Sequence, residues 1–151
     1  MTRTILAAML LLLFLSSGCT KLPKNQNAED DSILDAYWTL YSLEGQEVRR
    51  PKDTNTAFIR FQENESDLHG FTGCNKFSGK YTLDGDQLRL SELKTTRMAC
   101  PSMENENKLM DVLRRVDSYK ISGTVLTLYA SGTAVATFMS GTDPSVDPGL
   151  D

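Results

Sequence analysis

The sequence contains few of the residues from which catalytic and metal centres are commonly built. Its 151 residues include three cysteines, one tryptophan and a single histidine, His69. A bound zinc ion needs three or four protein ligands, and a histidine base needs a nucleophile and an orienting partner within reach. The chain has no Gly-x-Ser-x-Gly motif and no paired acidic motif. We therefore expect no metal, no cofactor and no catalytic residue, and we interpret His69 as a surface or strand residue.

The chain also lacks an apolar run long enough to cross a bilayer. The run Ile5–Leu15 has eleven residues, whereas a spanning helix needs about 20. It follows Arg3 and precedes three small residues and Cys19, an order typical of a secretory signal. A cysteine directly after the cleavage site resembles a bacterial lipoprotein signal, although Ser16 stands where a branched aliphatic residue is usual. We predict that residues 1–18 are a lipoprotein signal peptide and that Cys19 is lipidated. A plain secreted protein and an uncleaved anchor are the alternatives.

An excess of basic residues is missing as well. Because the predicted signal contains only Arg3, the mature chain has 15 basic and 20 acidic residues and a net charge of −5. A mildly acidic chain without a basic stripe is not typical of nucleic-acid binding, so we expect no nucleic acid. We expect the membrane to be a partner through the lipid anchor at Cys19, since each buried CH₂ contributes about 0.8 kcal/mol.

Lipidation of Cys19 leaves two further cysteines, Cys74 and Cys100. An even pair in an oxidising compartment indicates a disulfide. Closing a loop of about 25 residues stabilises a fold by roughly 3–4 kcal/mol in the chain-entropy model. Two free buried thiols, a redox pair and a metal-binding pair are the alternatives. Redox pairs favour Cys-x-x-Cys, whereas these cysteines lie 26 positions apart, and we therefore predict the disulfide.

Composition divides the mature chain into three parts. Residues 19–35 are polar and acidic, which is typical of a flexible tether. Residues 140–151 contain two prolines and two glycines, which is typical of a disordered tail. The folded domain is predicted between them, over residues 36–139.

The domain combines strand patterns with one helical pattern. Its apolar residues mostly alternate with polar residues, with a period of two. The pairs Asp84-Gly85 and Ser131-Gly132 predict hairpin turns. Ser102–Val116 instead has helical spacing, with Ser102 as a predicted N-cap. The order of about five strands, one helix and three strands predicts a mainly β fold. We expect a small antiparallel β-barrel of about eight strands, with one helix inserted after strand five.

Two glycines fall within strand patterns, Gly70 and Gly79. Together with Lys80 they do not make a phosphate-binding loop, which needs a glycine five residues before the Gly-Lys pair and then Ser or Thr; here Tyr81 follows. Glycines inside strands more often mark bulges or a close approach of the backbone, and we interpret both in this way.

Three motifs resemble those of the META domain in HslJ-like bacterial lipoproteins. They are Trp38-Thr39-Leu40, the element from Gly73-Cys74-Asn75 to Tyr81, and Thr96-Arg97-Met98-Ala99-Cys100-Pro101 before the helix. The resemblance covers residues 36–139 and implies a small antiparallel barrel with one helix, calycin- or pilotin-like. It also implies an envelope protein connected with heat shock, stress response and drug tolerance. No catalytic residue is established for the family, and none is carried over.

Resemblance to lipoproteins also implies a location. Thr20 follows Cys19, where an aspartate typically retains lipoproteins in the inner membrane. We therefore expect a protein of the cell envelope that is anchored in the outer membrane by its lipid and faces the periplasm.

Three residues are candidates for binding. Asn75 turns the backbone in left-handed geometry or contacts a ligand. Arg97 forms a salt bridge or a cap on backbone carbonyls, or it reads an anionic partner. Trp38 lies in the core or stacks on a ligand.

Two functions follow. The first is a non-enzymatic module held at the membrane, in envelope stress or drug tolerance, whose partner is an envelope protein. The second is a pilotin-like carrier or chaperone that holds a hydrophobic ligand, a lipid or a peptide, in a barrel cavity. They differ in whether one apolar set fills the barrel or lines it: Trp38, Phe61, Phe77, Tyr81, Leu113 and Phe138.

Overall fold

A computed structural model describes residues 32–48, 56–100 and 103–141. The predicted signal peptide, Cys19, most of the predicted tether and most of the predicted tail lie outside the described residues. Within the described residues, no helix combines the length and the apolar content needed to cross a membrane.

The described chain contains nine strands and one helix. In chain order they are β1 Trp38–Leu43, β2 Gln46–Glu47, β3 Phe58–Gln62, β4 Asp67–Phe71, β5 Lys76–Asp84, β6 Gln87–Thr95, α1 Glu104–Arg115, β7 Ser118–Ser122, β8 Val125–Ala130 and β9 Thr133–Ser140.

The strands form one antiparallel sheet that nearly closes on itself. Their order is β2-β1-β3-β4-β5-β6-β7-β8-β9, and β1 also pairs with β9. Five residue pairs join β1 to β9, whereas the single pair Gln87–Ser118 joins β6 to β7. Eight strands therefore form a near-barrel ring, and this confirms the predicted mainly β architecture.

The helix follows β6 rather than the fifth strand of the chain. The difference arises from β2, a two-residue strand that pairs only with the end of β1. A tight turn joins the two strands, in which Glu44 and Gly45 both have positive φ, 49° and 78°. Both residues of β2 are exposed, so this strand has no apolar alternation from which it could be predicted. Within the ring of eight, β6 is the fifth strand.

Helix α1 is shorter than its predicted range. It begins at Glu104, with Met103 at the N-cap position and no side-chain cap; Ser102, the predicted cap, lies outside the described residues. Two glutamates lie in the first turn and two arginines in the last, and both placements favour the helix dipole. The backbone becomes extended at Val116.

The apolar side chains meet inside the ring and under the helix. On β3, Ile59 and Phe61 are fully buried and alternate with Phe58 and Arg60 on the other face. The six residues proposed to fill or line the barrel all belong to one core cluster. Helix α1 closes this core with its buried face: Leu109, Met110, Val112 and Leu113.

The folded part begins before residue 36. Ile33 is buried in the core, Leu34 forms a bridge to Phe61, and the indole nitrogen of Trp38 donates a 2.9 Å hydrogen bond to the carbonyl of Ile33. The chain is therefore fixed to the domain within residues 19–35, the predicted tether.

Candidate functional site

The candidate site begins at the turn between β4 and β5. The amide of Thr72 donates to the carbonyl of Asn75 at 2.8 Å, and the amide of Asn75 donates back to the Thr72 hydroxyl at 2.9 Å. Gly73 adopts the positive φ of this turn, 101°, and Asn75 does not. The predicted left-handed role of Asn75 is therefore wrong, because the neighbouring glycine adopts that geometry without steric cost.

The side chain of Asn75 is fully buried and contacts a buried carboxylate. Its amide nitrogen donates to both carboxylate oxygens of Glu106, at 2.9 and 3.0 Å, and the Thr72 hydroxyl donates to Oε2 at 2.7 Å. Only 6% of Glu106 is exposed. Burying a charge is costly unless it is hydrogen-bonded, and here three hydrogen bonds from two neutral groups and the N-terminal turn of α1 compensate that cost.

The other end of the same amide holds a loop. The carbonyl oxygen of Asn75 accepts 2.8 Å and 2.7 Å hydrogen bonds from the Thr96 hydroxyl and the Met98 backbone N–H. A backbone N–H only donates and a carboxylate only accepts, so these partners fix the orientation of the amide. Asn75 therefore connects the β4–β5 turn, the first turn of α1 and the segment after β6.

A disulfide fixes the far end of that segment. Cys74 and Cys100 are bonded to each other, with their Cα atoms 6.3 Å apart, as the sequence predicts. We call residues 96–100 the anchored loop, because Asn75 holds its start and Cys74 holds its end. Arg97, Met98 and Ala99 are exposed between these two attachments, and 62% of Met98 is accessible to solvent.

The structure brings together two of the three candidate binding residues. Arg97 belongs to the anchored loop and Asn75 lies beneath it. The exposed side chain of Arg97 has no salt bridge and no hydrogen bond to residues 32–48, 56–100 or 103–141, so neither predicted structural role is present there. Trp38 lies elsewhere, on β1, and is buried in the core, as its structural interpretation expects.

Sequence reasoning missed Thr72 and Glu106. A signal for Glu106 was available, since it lies three and seven positions before Leu109 and Leu113 and so shares their apolar helix face. A carboxylate on a buried stripe requires partners. The identity of those partners depends on long-range packing, and the sequence carries no corresponding pattern for Thr72.

The arrangement holds groups in place and leaves no reactive group exposed. Both oxygens of Glu106 accept hydrogen bonds from Thr72 or Asn75, and the two thiols are joined. Among the described residues, no group of three or more His, Cys, Asp or Glu side chains is placed to hold a metal ion. The exposed part of this site is the anchored loop.

The fold and site define a small antiparallel near-barrel with one helix docked across it. The META domain profile matches residues 31–142, and the chain belongs to the META domain family. No curated protein matches the chain.

Solved structures share this fold. An NMR structure from Burkholderia xenovorans is 22% identical, covers 73% of this chain and 84% of its own, and has a TM-score of 0.59. A second NMR structure is 24% identical, covers 69% and 88%, and has a TM-score of 0.55. A DUF4847 family protein from Bacteroides vulgatus is 13% identical, covers 72% and 94%, and has a TM-score of 0.52. At these identities the likeness establishes the fold alone.

Proposed function

We propose that this protein is an envelope lipoprotein whose META domain serves as a rigid, non-enzymatic binding module at the membrane. The observation that carries the proposal is the anchored loop. A buried amide–carboxylate network and a disulfide hold a short segment whose Met98 is 62% exposed. Ordering a loop before binding lowers the entropic cost of association, so this geometry suits contact with a partner protein of the envelope.

The chemistry of the titratable groups supports a non-enzymatic role. Catalytic carboxylates and thiols need an open face towards a substrate. Glu106 is instead directed into the junction between α1 and the β4–β5 turn, where neutral donors bind it. Cys74 and Cys100 are joined to each other.

The alternative function, a carrier with a cavity inside the barrel, has less support. The six large side chains that would line such a cavity belong to one core cluster, into which the helix also inserts Leu109 and Val112. Side chains packed in this way fill a small barrel.

The anchor is inferred from residues 1–19. This segment has the order of a lipoprotein signal: an apolar run of eleven residues, then small residues, then Cys19. Acyl chains on Cys19 would hold the domain at the periplasmic face of the outer membrane, where a role in envelope stress or drug tolerance is exerted.

Two measurements test this proposal. Metabolic labelling with palmitate should mark the wild-type protein in the membrane fraction and leave a Cys19→Ser variant unlabelled. Survival of cells that lack the protein, after heat or drug challenge, should be restored by the wild-type chain. Both Cys19→Ser and the double variant Arg97→Ala, Met98→Ala should fail to restore it.

The double variant changes only exposed side chains, so its fold should be intact, and urea unfolding checks this. A matched control is Lys120→Ala, which changes an exposed side chain on β7 and should restore survival fully. If the double loop variant restored survival fully at a normal protein level, the exposed side chains of the anchored loop would not be needed for the function. A wild-type protein that stays unlabelled in the soluble fraction would contradict the proposed lipid anchor.

A further inference from the structure

Three cationic side chains in and beside the anchored loop have no acidic partner among the described residues. Lys76, Lys94 and Arg97 are exposed and form no salt bridge with residues 32–48, 56–100 or 103–141. We call these three residues the cationic patch. Other cations of the described chain do form salt bridges: Lys80 with Asp67, Lys108 with Glu104, Arg114 with Asp111 and Arg115 with Glu44.

Strand pairing places the two lysines of the patch next to the start of the anchored loop. The backbone N–H of Thr96 donates to the carbonyl of Lys76 at 3.0 Å, so Lys76 lies opposite the first residue of the loop. Lys94 lies opposite Ser78 on the same two strands. Phe77 is buried in the core between Lys76 and Ser78, so both lysines belong to the outer face. They are diagonal neighbours there, a relationship that places residues about 7–8 Å apart.

The exposed charge of this surface is positive, although the whole chain has a net charge of −4. The cationic patch contributes three positive charges, and the exposed Glu92 of β6 reduces the sum to two. The glutamates in the first turn of α1 are already bound: Glu104 by Lys108, and the buried Glu106 by neutral donors beneath the loop. The exposed surface around the anchored loop is therefore suited to a negatively charged partner.

The patch and the loop lie at the end of the ring away from the incoming chain. Leu34 forms a bridge to Phe61, the residue before the last one of β3. Phe58, the first residue of β3, pairs with Phe71, directly before the β4–β5 turn that holds the loop. The proposed tether and the anchored loop therefore lie at opposite ends of β3. This arrangement favours a partner protein over the membrane surface as the occupant of the patch.

We propose that the anchored loop and the cationic patch bind an acidic segment of a partner protein. Carboxylates of that segment contact the patch, and an apolar side chain packs on Met98, which is 62% exposed. Complementary charge steers association and suppresses wrong partners, and a guanidinium such as that of Arg97 matches a carboxylate geometrically. Met and Arg are both enriched at protein interfaces. The inference rests on the proposed function and deepens it by naming the chemistry of the partner.

The test is photo-crosslinking in living cells with the full chain, carrying benzoyl-phenylalanine in place of the exposed Ala99. Irradiation should give an adduct with an envelope protein, and mass spectrometry of the crosslinked peptide should find several Asp or Glu residues close to the linked position. Lys76→Glu combined with Lys94→Glu should lower the adduct yield about tenfold, because two favourable charge contacts become repulsive. Lys94→Glu alone should lower it about threefold. Lys76→Arg combined with Lys94→Arg keeps both charges and should retain most of the yield.

A control separates the patch from general charge. Lys120→Glu reverses a charge at an exposed position on β7 and should leave the adduct yield unchanged. The inference is overturned if no adduct forms, if the adduct is a lipid, if the linked segment is not acidic, or if the lysine-to-glutamate variants of the patch crosslink as strongly as Lys120→Glu. Failure of the proposed function is a separate result, in which Arg97→Ala combined with Met98→Ala restores survival fully.

Discussion

The side chain of Asn75 donates two hydrogen bonds to the carboxylate of Glu106, at 2.9 and 3.0 Å, across 31 positions of the sequence. The same amide accepts a 2.7 Å bond from the backbone of Met98. One buried side chain therefore couples the first turn of the helix to the anchored loop. The position of the anchored loop therefore depends on the position of helix α1, and the position of the helix depends on the loop.

Replacing Glu106 with glutamine should destabilise the protein by about 1–3 kcal/mol. A glutamine side chain offers one acceptor oxygen and one NH₂ group. In either orientation its NH₂ group would face a donor, the side-chain nitrogen of Asn75 alone or together with the hydroxyl of Thr72. Removing a buried charge offsets part of this loss. Urea unfolding of the Glu106→Gln variant measures the change.

Glu104→Gln is the matched control for that measurement. It makes the same substitution in the same helical turn, at an exposed position where Glu104 binds Lys108 at 2.8 Å. An exposed pair four positions apart on a helix contributes only about 0.3–0.5 kcal/mol. Equal losses for the two variants would show that the buried network contributes nothing beyond an ordinary surface contact.

Removing the disulfide should cost about 3–4 kcal/mol of stability, because it closes a loop of about 25 residues. The double variant Cys74→Ser, Cys100→Ser should show this loss in urea, and hydrogen exchange at the amide of Met98 should accelerate as the loop loses one attachment. Mass spectrometry without reductant should find the oxidised wild-type protein about 2 Da lighter than its reduced form, as expected for a bridge. Two free thiols in that experiment would contradict the structure at this point.

The sequence predicted the features that depend on local pattern. The Asp-Gly and Ser-Gly pairs identified the hairpins at Gly85 and Gly132, where both glycines have positive φ, 60° and 76°. The stripe that includes Leu109 and Leu113 identified the helix, and many short segments with a period of two predicted the ring. Such patterns can be read from the sequence because residues two apart on a strand, or three and four apart on a helix, share a face.

The features that were missed depend on contacts between distant segments. The Asn75–Glu106 pair joins residues 31 positions apart. Strand β2 was missed for a different reason, since its two exposed residues follow β1 by turn geometry alone. No periodicity encodes these arrangements, and they arise only when the ring closes.

Gly70→Ala should destabilise the domain by about 1–3 kcal/mol, the range for inserting a methyl group into a packed site. A Cβ atom at Gly70 would lie 2.2 Å from the Phe77 ring and 2.5 Å from the carbonyl oxygen of Phe58. The backbone oxygen cannot move without disturbing the β3–β4 pair. Thr82→Ala, at an exposed position of β5, should change the free energy of unfolding by no more than about 0.5 kcal/mol. A Gly70→Ala variant as stable as this control would refute the close approach.

Asp117 should make the stability of the β8–β9 hairpin depend on pH. Its carboxylate accepts a 2.6 Å bond from the backbone N–H of Ser131, in the hairpin turn, and a 2.7 Å bond from the Ser118 hydroxyl. These bonds lower the pKa of Asp117 below its ordinary value of 3.8, with the backbone bond as the largest cause. A lowered pKa in the folded state means that the unfolded state binds the proton more readily, so stability falls as the pH falls.

The contribution of Asp117 is therefore fully present above its unfolded pKa and is lost as the pH falls through the lower, folded one. Asp117→Asn keeps a carbonyl oxygen that can accept from Ser131 but removes the charge. The melting temperature of the wild-type protein should exceed that of this variant near pH 6, and the difference should shrink as the pH is lowered below 3.8. Asp111→Asn, at an exposed helix position, controls for a general loss of negative charge. A difference between wild type and Asp117→Asn that stays constant from pH 6 to the acid limit would mean that hydrogen-bond geometry, and not ionisation, holds this turn.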